Sequence, residues 1–307
     1  MTLSRVANNL YWLSRYVERA ESYARFLEAN LQFELDLPGG FEIQPMIQTT
    51  GDMVLFEKLY KEKSTDNAIR FMVFEKENPN SIYSCISQAR EIARTVRENL
   101  SSDAWQQLNT FYLELKEAFE KKSDNLYDAP AFFEAVKQHS QLFQGILDST
   151  VTRDTAWEFL RLGRFIERAD KITRILDLKY YVVLPSVDDV GTPIDLMLWA
   201  TILKSASAYQ MFHRHSAEFS DGGIVDFLLL ERRFPRSLLF CLDQVCKSIS
   251  RYNTTRAYGL ASDLYAQCIQ HDAHVILERG LHEYLDRMQA NINQLGKQIY
   301  TDFFALK

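Results

Sequence analysis

The feature of this sequence that most constrains its fold is a nine-residue segment that occurs twice. Residues 13–21 read Leu-Ser-Arg-Tyr-Val-Glu-Arg-Ala-Glu, and residues 162–170 read Leu-Gly-Arg-Phe-Ile-Glu-Arg-Ala-Asp. The two copies stay aligned as far as Glu28 and Asp177. Two long segments this similar indicate that one structural unit has been duplicated.

A second pair of segments repeats in the same order, independently of the first. Six residues recur at the same spacing: Phe71, Glu75, Pro79, Ser81, Cys85 and Gln88 correspond to Phe227, Glu231, Pro235, Ser237, Cys241 and Gln244. We therefore predict two halves, 1–150 and 151–307, related by a pseudo-two-fold axis. These halves can share one core rather than form separate domains.

The apolar residues of the first repeated segment predict a long helix. They step by alternating fours and threes through Val6, Leu10, Leu13, Val17, Ala20, Ala24, Leu27 and Leu31, which is the spacing of one helix face. Glycine (11) and proline (7) are scarce, whereas strand-rich folds need many turn residues. The expected fold class is all-α, an internally duplicated bundle with two long helices that each carry an Arg-x-x-Glu-Arg motif.

Similar patterns place further helices. We expect them near 51–63, 66–77, 80–100, 103–122, 130–149 and 152–181, with others opening at Pro193, Pro235 and Arg256 and a last one ending near Phe304. Pro38-Gly39-Gly40 is expected to end the first long helix, and Pro185 and Gly191 to lie in the loop after the second.

Charge and composition narrow the functional class. A formal net charge of −6 argues against nucleic-acid binding, which relies on basic side chains. The four cysteines form no Cys-x-x-Cys pair, so reduced thiols in a cytoplasmic protein fit better than a disulfide framework.

Arg5, Arg15 and Arg19 interrupt the apolar runs near the N-terminus, so no signal peptide is expected. No apolar run reaches the roughly 18 residues of a membrane span.

The repeated motif has two interpretations. Its charged residues are Arg15, Glu18 and Arg19 in the first copy and Arg164, Glu167 and Arg168 in the second. Within each copy they share one helix face, at the edge of an apolar arc. Glu18 can therefore pair with Arg168, and Glu167 with Arg19, across a helix–helix interface. Alternatively, the arginines clamp the carboxylate or phosphate of a substrate.

A second group of basic residues occurs in the first half alone. Arg90, Arg94 and Arg97 flank the apolar stripe of one predicted helix, and the duplicate positions are uncharged. This arginine stripe is either an added anion-binding function or a solvated face balanced by neighbouring glutamates such as Glu91.

Metal and catalytic motifs find little support. Cys268, His271 and His274, with His282 further along, carry suitable zinc ligands, but they have few carboxylates near them. We expect no metal and no cofactor. The di-iron, zinc-protease, phosphate-loop and serine-nucleophile motifs are absent from the sequence.

Several segments together resemble the alpha-E domain family of bacterial helical proteins, and the resemblance covers essentially the whole chain. They are Tyr11 to Glu21, Asn78 to Ile82, Ala89 to Glu98, Trp105 with Asn109, Arg161 to Asp170, and Gly280 to Leu285, which contains His282. One departure is Ile92, where family members often carry asparagine.

The resemblance implies which proteins act together with this one, and it implies no particular reaction. Alpha-E proteins typically occur beside an ATP-grasp amide ligase and a transglutaminase-like protein. We therefore expect a non-catalytic partner that binds the ligase or an acidic peptide-like ligand. One alternative is an enzyme that uses Glu18 and Glu167 as acid–base groups, and another is a purely structural scaffold.

Overall fold

The computed structural model describes residues 4–36, 44–120, 129–182, 192–215 and 218–305. Within these ranges the chain contains α-helices and no strand, which confirms the all-α fold class. The fifteen α-helices are α1 Ser4–Asp36, α2 Gln44–Thr50, α3 Met53–Leu59, α4 Thr65–Val73, α5 Ile82–Thr95, α6 Ser102–Glu120, α7 Ala129–Thr150, α8 Thr155–Tyr181, α9 Pro193–Ser205, α10 Tyr209–His215, α11 Asp221–Leu230, α12 Leu238–Ile249, α13 Arg256–Gln270, α14 Ala273–Glu278 and α15 Leu281–Ile299.

Helices α1 and α8, which carry the two motifs, pack against each other at the centre of the molecule. Helices α5, α7 and α9 cover α1, and helices α2, α12 and α15 cover α8. The buried apolar side chains form one cluster that draws on both halves. The duplication itself stays a prediction. None of the described helices combines the length and apolar character that crossing a membrane needs.

The capping residues explain where the covering helices start. Ser81 accepts a hydrogen bond from the backbone amide of Ser84 and begins α5, and Ser237 does the same with Phe240 for α12. The predicted start of a helix at Pro235 was therefore early, because the serine oxygen two residues later satisfies the first free amides. The predicted helix over 80–100 was too long, since α5 ends at Thr95 and a short 3₁₀ turn follows.

Several short helices, namely α2, α10, α11 and α14, were not expected. Each has ten residues or fewer, so apolar periodicity gives little signal over its length. The predicted stop at Pro38-Gly39-Gly40 and the predicted loop at Pro185 and Gly191 lie outside the described residues.

Gly163 allows the two central helices to come close. A Cβ atom at this position of α8 would lie 2.1 Å from the backbone oxygen of Tyr11 on α1. That distance is far below van der Waals contact, and the opposing atom is backbone, which cannot turn aside. The glycine therefore sets the separation at which the charged motifs meet.

Replacing this glycine should separate the central helices. We expect Gly163→Ala to lower the free energy of unfolding by at least about 2 kcal/mol, since overpacking typically costs 1–3 kcal/mol. Urea unfolding monitored by circular dichroism measures the change. Gly145→Ala and Gly259→Ala are matched controls, because a Cβ there meets no atom within 4 Å. They should be neutral or stabilising by up to about 1 kcal/mol. Equal stability of Gly163→Ala and the controls would contradict the close approach.

Candidate functional site

The first motif glutamate is fully buried and is held by the opposite helix. The Glu18 side chain on α1 has no exposed surface. Arg168 on α8 donates from Nε to Glu18 Oε1 at 2.7 Å and from Nη2 to Glu18 Oε2 at 2.7 Å. This two-point geometry is the strongest form of an arginine–carboxylate pair.

The second motif glutamate is held reciprocally. Glu167 on α8 is also fully buried, and Arg19 donates to it from Nε at 2.6 Å and from Nη2 at 3.0 Å. Arg15 adds a third bond from Nε at 2.8 Å. The structure thus places the two Glu-Arg motifs face to face, with each glutamate bound by arginine of the other helix.

The arginines keep both glutamates ionised. Burial raises the pKa of Glu18, but the guanidinium groups of Arg168 and Arg236 outweigh it and lower that pKa from 4.5 to about 2. Burial likewise opposes ionisation of Glu167, yet Arg19 and Arg15 hold its pKa well below the usual range. A general acid or base needs a pKa near the working pH and access to substrate, and neither carboxylate has these properties.

Arg164 does not take the position that its counterpart Arg15 takes. It donates from Nη1 to Asp148 at 3.1 Å, and its buried Nε has no hydrogen-bond partner. Gln144 and Arg236 occupy the remaining bonding positions around Glu18, at 2.9 Å and 3.1 Å. Neither Gln144 nor Arg236 was predicted as a site residue.

Arg236 could have been suspected from the second repeat. Arg236 lies between Pro235 and Ser237. In the first half, Asn80 holds the corresponding position between Pro79 and Ser81. Arg236 also donates to Glu21 from Nη2 at 2.7 Å, whereas Asn80 accepts a bond from Arg19 Nη1 at 2.6 Å. A charged residue thus replaces a neutral one at equivalent places beside the motifs.

The charges around Glu167 do not balance. Glu167 and its neighbour Asp170 meet four cationic side chains, all of them at most 22% exposed: Arg15, Arg19, Lys171 and Arg174. Asp52 approaches this group indirectly, by accepting a hydrogen bond from Asn80 at 2.9 Å. Even with Asp52 included, one positive charge is left over. Weakly solvated positive charge of this kind favours the binding of an anion.

A cleft opens beside the surplus cations, and we call it the cationic cleft. Its cavity volume is about 20 Å³, which is room for one or two water molecules. Its lining residues are Ser22, Tyr23, Phe26, Thr49, Thr50, Lys171, Arg174 and Ile175. Arg174 is positioned by Asp170, which it contacts from Nε at 2.9 Å, and by the backbone oxygen of Thr49, which accepts from Nη1 at 3.1 Å. Lys171 and Arg174 line this small space, but nearly all of the surface exposed in it is apolar, because their charged groups bind Asp170 and the backbone oxygen of Thr49.

The predicted arginine stripe lies elsewhere and is largely paired. Arg90 donates to Asn109 at 2.9 Å and to Glu91 at 2.8 Å. Arg94 also donates to Glu91, and Arg97 lies 4.8 Å from the ring centre of Trp105. These contacts fit a solvated helix face better than an anion clamp, because the guanidinium groups of Arg90 and Arg94 already donate to Glu91 and Asn109.

The suspected zinc residues do not converge. All four cysteines are free, and the thiol of Cys268 is buried with its pKa raised by burial to about 12. His274 is paired with Glu278 at 3.3 Å, and His271 contacts the backbone oxygen of Gln267. His282 lies instead against Asp177 of α8, at 2.6 Å.

With this geometry established, the comparisons with known proteins identify the family. Residues 2–304 match Alpha-E, described as a predicted alpha-helical domain with a conserved ER motif, and the chain belongs to this family. Uncharacterized proteins of Mycobacterium bovis and Mycobacterium tuberculosis are 23% identical over 266 residues, which is 78% of this chain. The chain spans 29% of the length of these relatives. No solved structure matches it.

Breaking a motif pair should destabilise the fold strongly. Glu18→Gln leaves Arg168 without its carboxylate and Arg236 with Glu21 alone, and removing one member of a buried pair costs about 3–5 kcal/mol. Urea unfolding at neutral pH measures this loss. The control is Glu57→Gln, which breaks a pair with Lys63 between side chains that are 50% and 38% exposed and should change stability by less than about 1 kcal/mol. A Glu18→Gln variant as stable as its control would show that the motif does not hold the helices.

The same carboxylates predict how stability depends on pH. The folded-state pKa values of Glu18 and Asp170 are both lowered to about 2, so the unfolded chain binds more protons in acid. Their stabilisation is complete above the unfolded values, 4.5 and 3.8, and is lost as the pH falls through the folded values. Urea unfolding between pH 7 and pH 3 should show a decline of a few kcal/mol. Glu18→Gln should show a shallower decline, and an equal slope would argue against this assignment.

Proposed function

We propose that this protein is a cytoplasmic, non-catalytic partner of an amide ligase of the ATP-grasp class, and that it binds an acidic, peptide-like ligand in the cationic cleft. The observation that carries the proposal is the unbalanced charge around Glu167, which adjoins an open cleft. Lys171 and Arg174 supply the charge, and a carboxylate is the group that arginine binds most specifically.

The size and lining of the cleft favour a short anionic group. Its cavity volume of about 20 Å³ is far below the usual range of about 300–1,000 Å³ for small-molecule sites. It therefore suits an acidic side chain or a terminal carboxylate rather than a whole nucleotide. Phe26 and Ile175 offer apolar contact to the methylene groups of such a residue.

The motif glutamates support a binding role over a catalytic one. Glu18 and Glu167 have no exposed surface and are fully engaged by arginines. The alternative enzyme would have to free one of them from its ion pair. Turnover by a Glu18→Gln, Glu167→Gln double variant that still folds would rule the catalytic alternative out.

The ligase as partner rests on the family resemblance. The neighbouring ligase class joins amino acids by amide bonds, so its substrates and products are often acidic. A helical unit that holds such a group would present it to the ligase or keep the product. Gel filtration of the protein with the neighbouring ligase, with and without nucleotide and acceptor, tests for the complex.

Binding of an acidic peptide can be measured directly. Isothermal titration with triglutamate should show binding that weakens with added salt, because both partners are charged. Arg174→Gln should weaken it by at least about tenfold, since a charge-assisted bond contributes about 1.5 kcal/mol or more. Arg94→Gln removes an exposed arginine of the same kind and should leave binding unchanged.

The scaffold alternative predicts the opposite result. If the motifs and the cleft serve packing alone, triglutamate will bind no better than triglutamine, and Arg174→Gln will alter stability without altering binding. Equal weakening by Arg174→Gln and Arg94→Gln would show general charge attraction and would contradict a site in the cleft.

A further inference from the structure

His282 lies between two carboxylates at the contact between α8 and α15. Its Nδ1 is 2.6 Å from Asp177 Oδ1, and its Nε2 is 3.6 Å from Asp286 Oδ2. One nitrogen or oxygen atom from each of the three side chains can be chosen so that all lie within 4.8 Å of one another. His282 and Asp286 are four residues apart on α15, so they project from the same helix face.

The imidazole is held rigidly in this position. The ring of Tyr180 stacks on it with centres 3.7 Å apart and planes at 1°, and the ring of Tyr181 meets it edge-on at 5.9 Å. Asp177 is only 4% exposed, whereas Asp286 is 59% exposed. One face of the group is therefore anchored in the protein, and the other is open to solvent.

In the first half of the chain, the residue that corresponds to Asp177 has a different partner. Glu28 is aligned with Asp177 in the repeat, and its partner is Lys137, whose Nζ lies 2.6 Å away. A lysine forms an ion pair but does not ligate metal at neutral pH. The first half therefore packs at this position without a histidine. Packing alone does not require His282, which is consistent with a further role for its imidazole.

We propose that His282 and Asp286 bind a divalent first-row transition-metal ion, with Asp177 as the group that orients the histidine. Two ligands about 2.1 Å from a tetrahedral ion are roughly 3.4 Å apart, close to the 3.6 Å between Nε2 and the Asp286 carboxylate. Asp177 accepts a hydrogen bond from Nδ1–H and leaves Nε2 free for the metal, as carboxylates behind metal-bound histidines do.

The donor set selects the kind of ion. Imidazole together with carboxylate suits zinc, manganese, iron and cobalt, whereas magnesium and calcium prefer oxygen alone. Two protein ligands leave further coordination positions for water or for an anionic group of a bound molecule. This proposal does not depend on the cationic cleft, and its test uses the metal ion alone.

Cobalt is a suitable probe because its visible spectrum reports its ligands. The full chain, freed of metal by a chelator, is titrated with Co²⁺, and Zn²⁺ is then used to displace it. We expect saturable binding of about one ion per chain that His282→Gln and Asp286→Asn each weaken by at least about tenfold. Asp177→Asn should weaken binding by about 10–100-fold, and the matched control Glu28→Gln should not change it.

Three results would overturn the proposal: no saturable binding, binding that both His282→Gln and Asp286→Asn leave unchanged, or a thiolate-to-cobalt absorption band, which would place the ion on cysteine. Thermal unfolding verifies that each variant is folded. Asp286 is 59% exposed, so its replacement tests the site even where loss of the buried Asp177 disturbs the helix contact.

Discussion

The structure depends on two carboxylates that are buried where the central helices cross. Glu18 of α1 and Glu167 of α8 have no exposed surface, and an unpaired charge in that position would cost several kcal/mol. Each is stabilised by an arginine from the opposite helix, so the helices can pack in one register and one rotation alone. Gly163 permits the close crossing, and the outer helices are then arranged around a pair whose geometry is already fixed.

The two motifs have the same sequence pattern but different surroundings. Glu18 accepts further hydrogen bonds from Gln144 and Arg236. Glu167 accepts a further hydrogen bond from Arg15 and lies near Lys171. Both arrangements carry a surplus of positive charge, and the second adjoins the cationic cleft. The two reciprocal ion pairs can thus both stabilise the helix crossing, and the ligand-binding role that we propose concerns the surroundings of Glu167, because the residues around each pair differ.

Some contacts of this site could be predicted from the sequence, and others could not. The pairing of Glu18 with Arg168 could be expected because the helical period places both at the edge of an apolar arc. Arg236 was missed because it lies in the turn before α12, more than two hundred residues from Glu18, and periodicity does not describe turns. Lys171 and Arg174 were not predicted as site residues, since their surplus charge appears only when the carboxylates around them are counted in the folded structure.

The sequence by itself determined the all-α fold class, the two long helices and the requirement that their buried arginines meet carboxylates. The helices follow from the spacing of apolar residues that are close in the chain. The need for carboxylates follows from the free-energy cost of burying an unpaired arginine. The tertiary structure alone decided which charges were neutralised, where the cationic cleft opens, and that His282 meets Asp177. Those contacts join residues from different helices, and their balance is set by packing distances that no local pattern specifies.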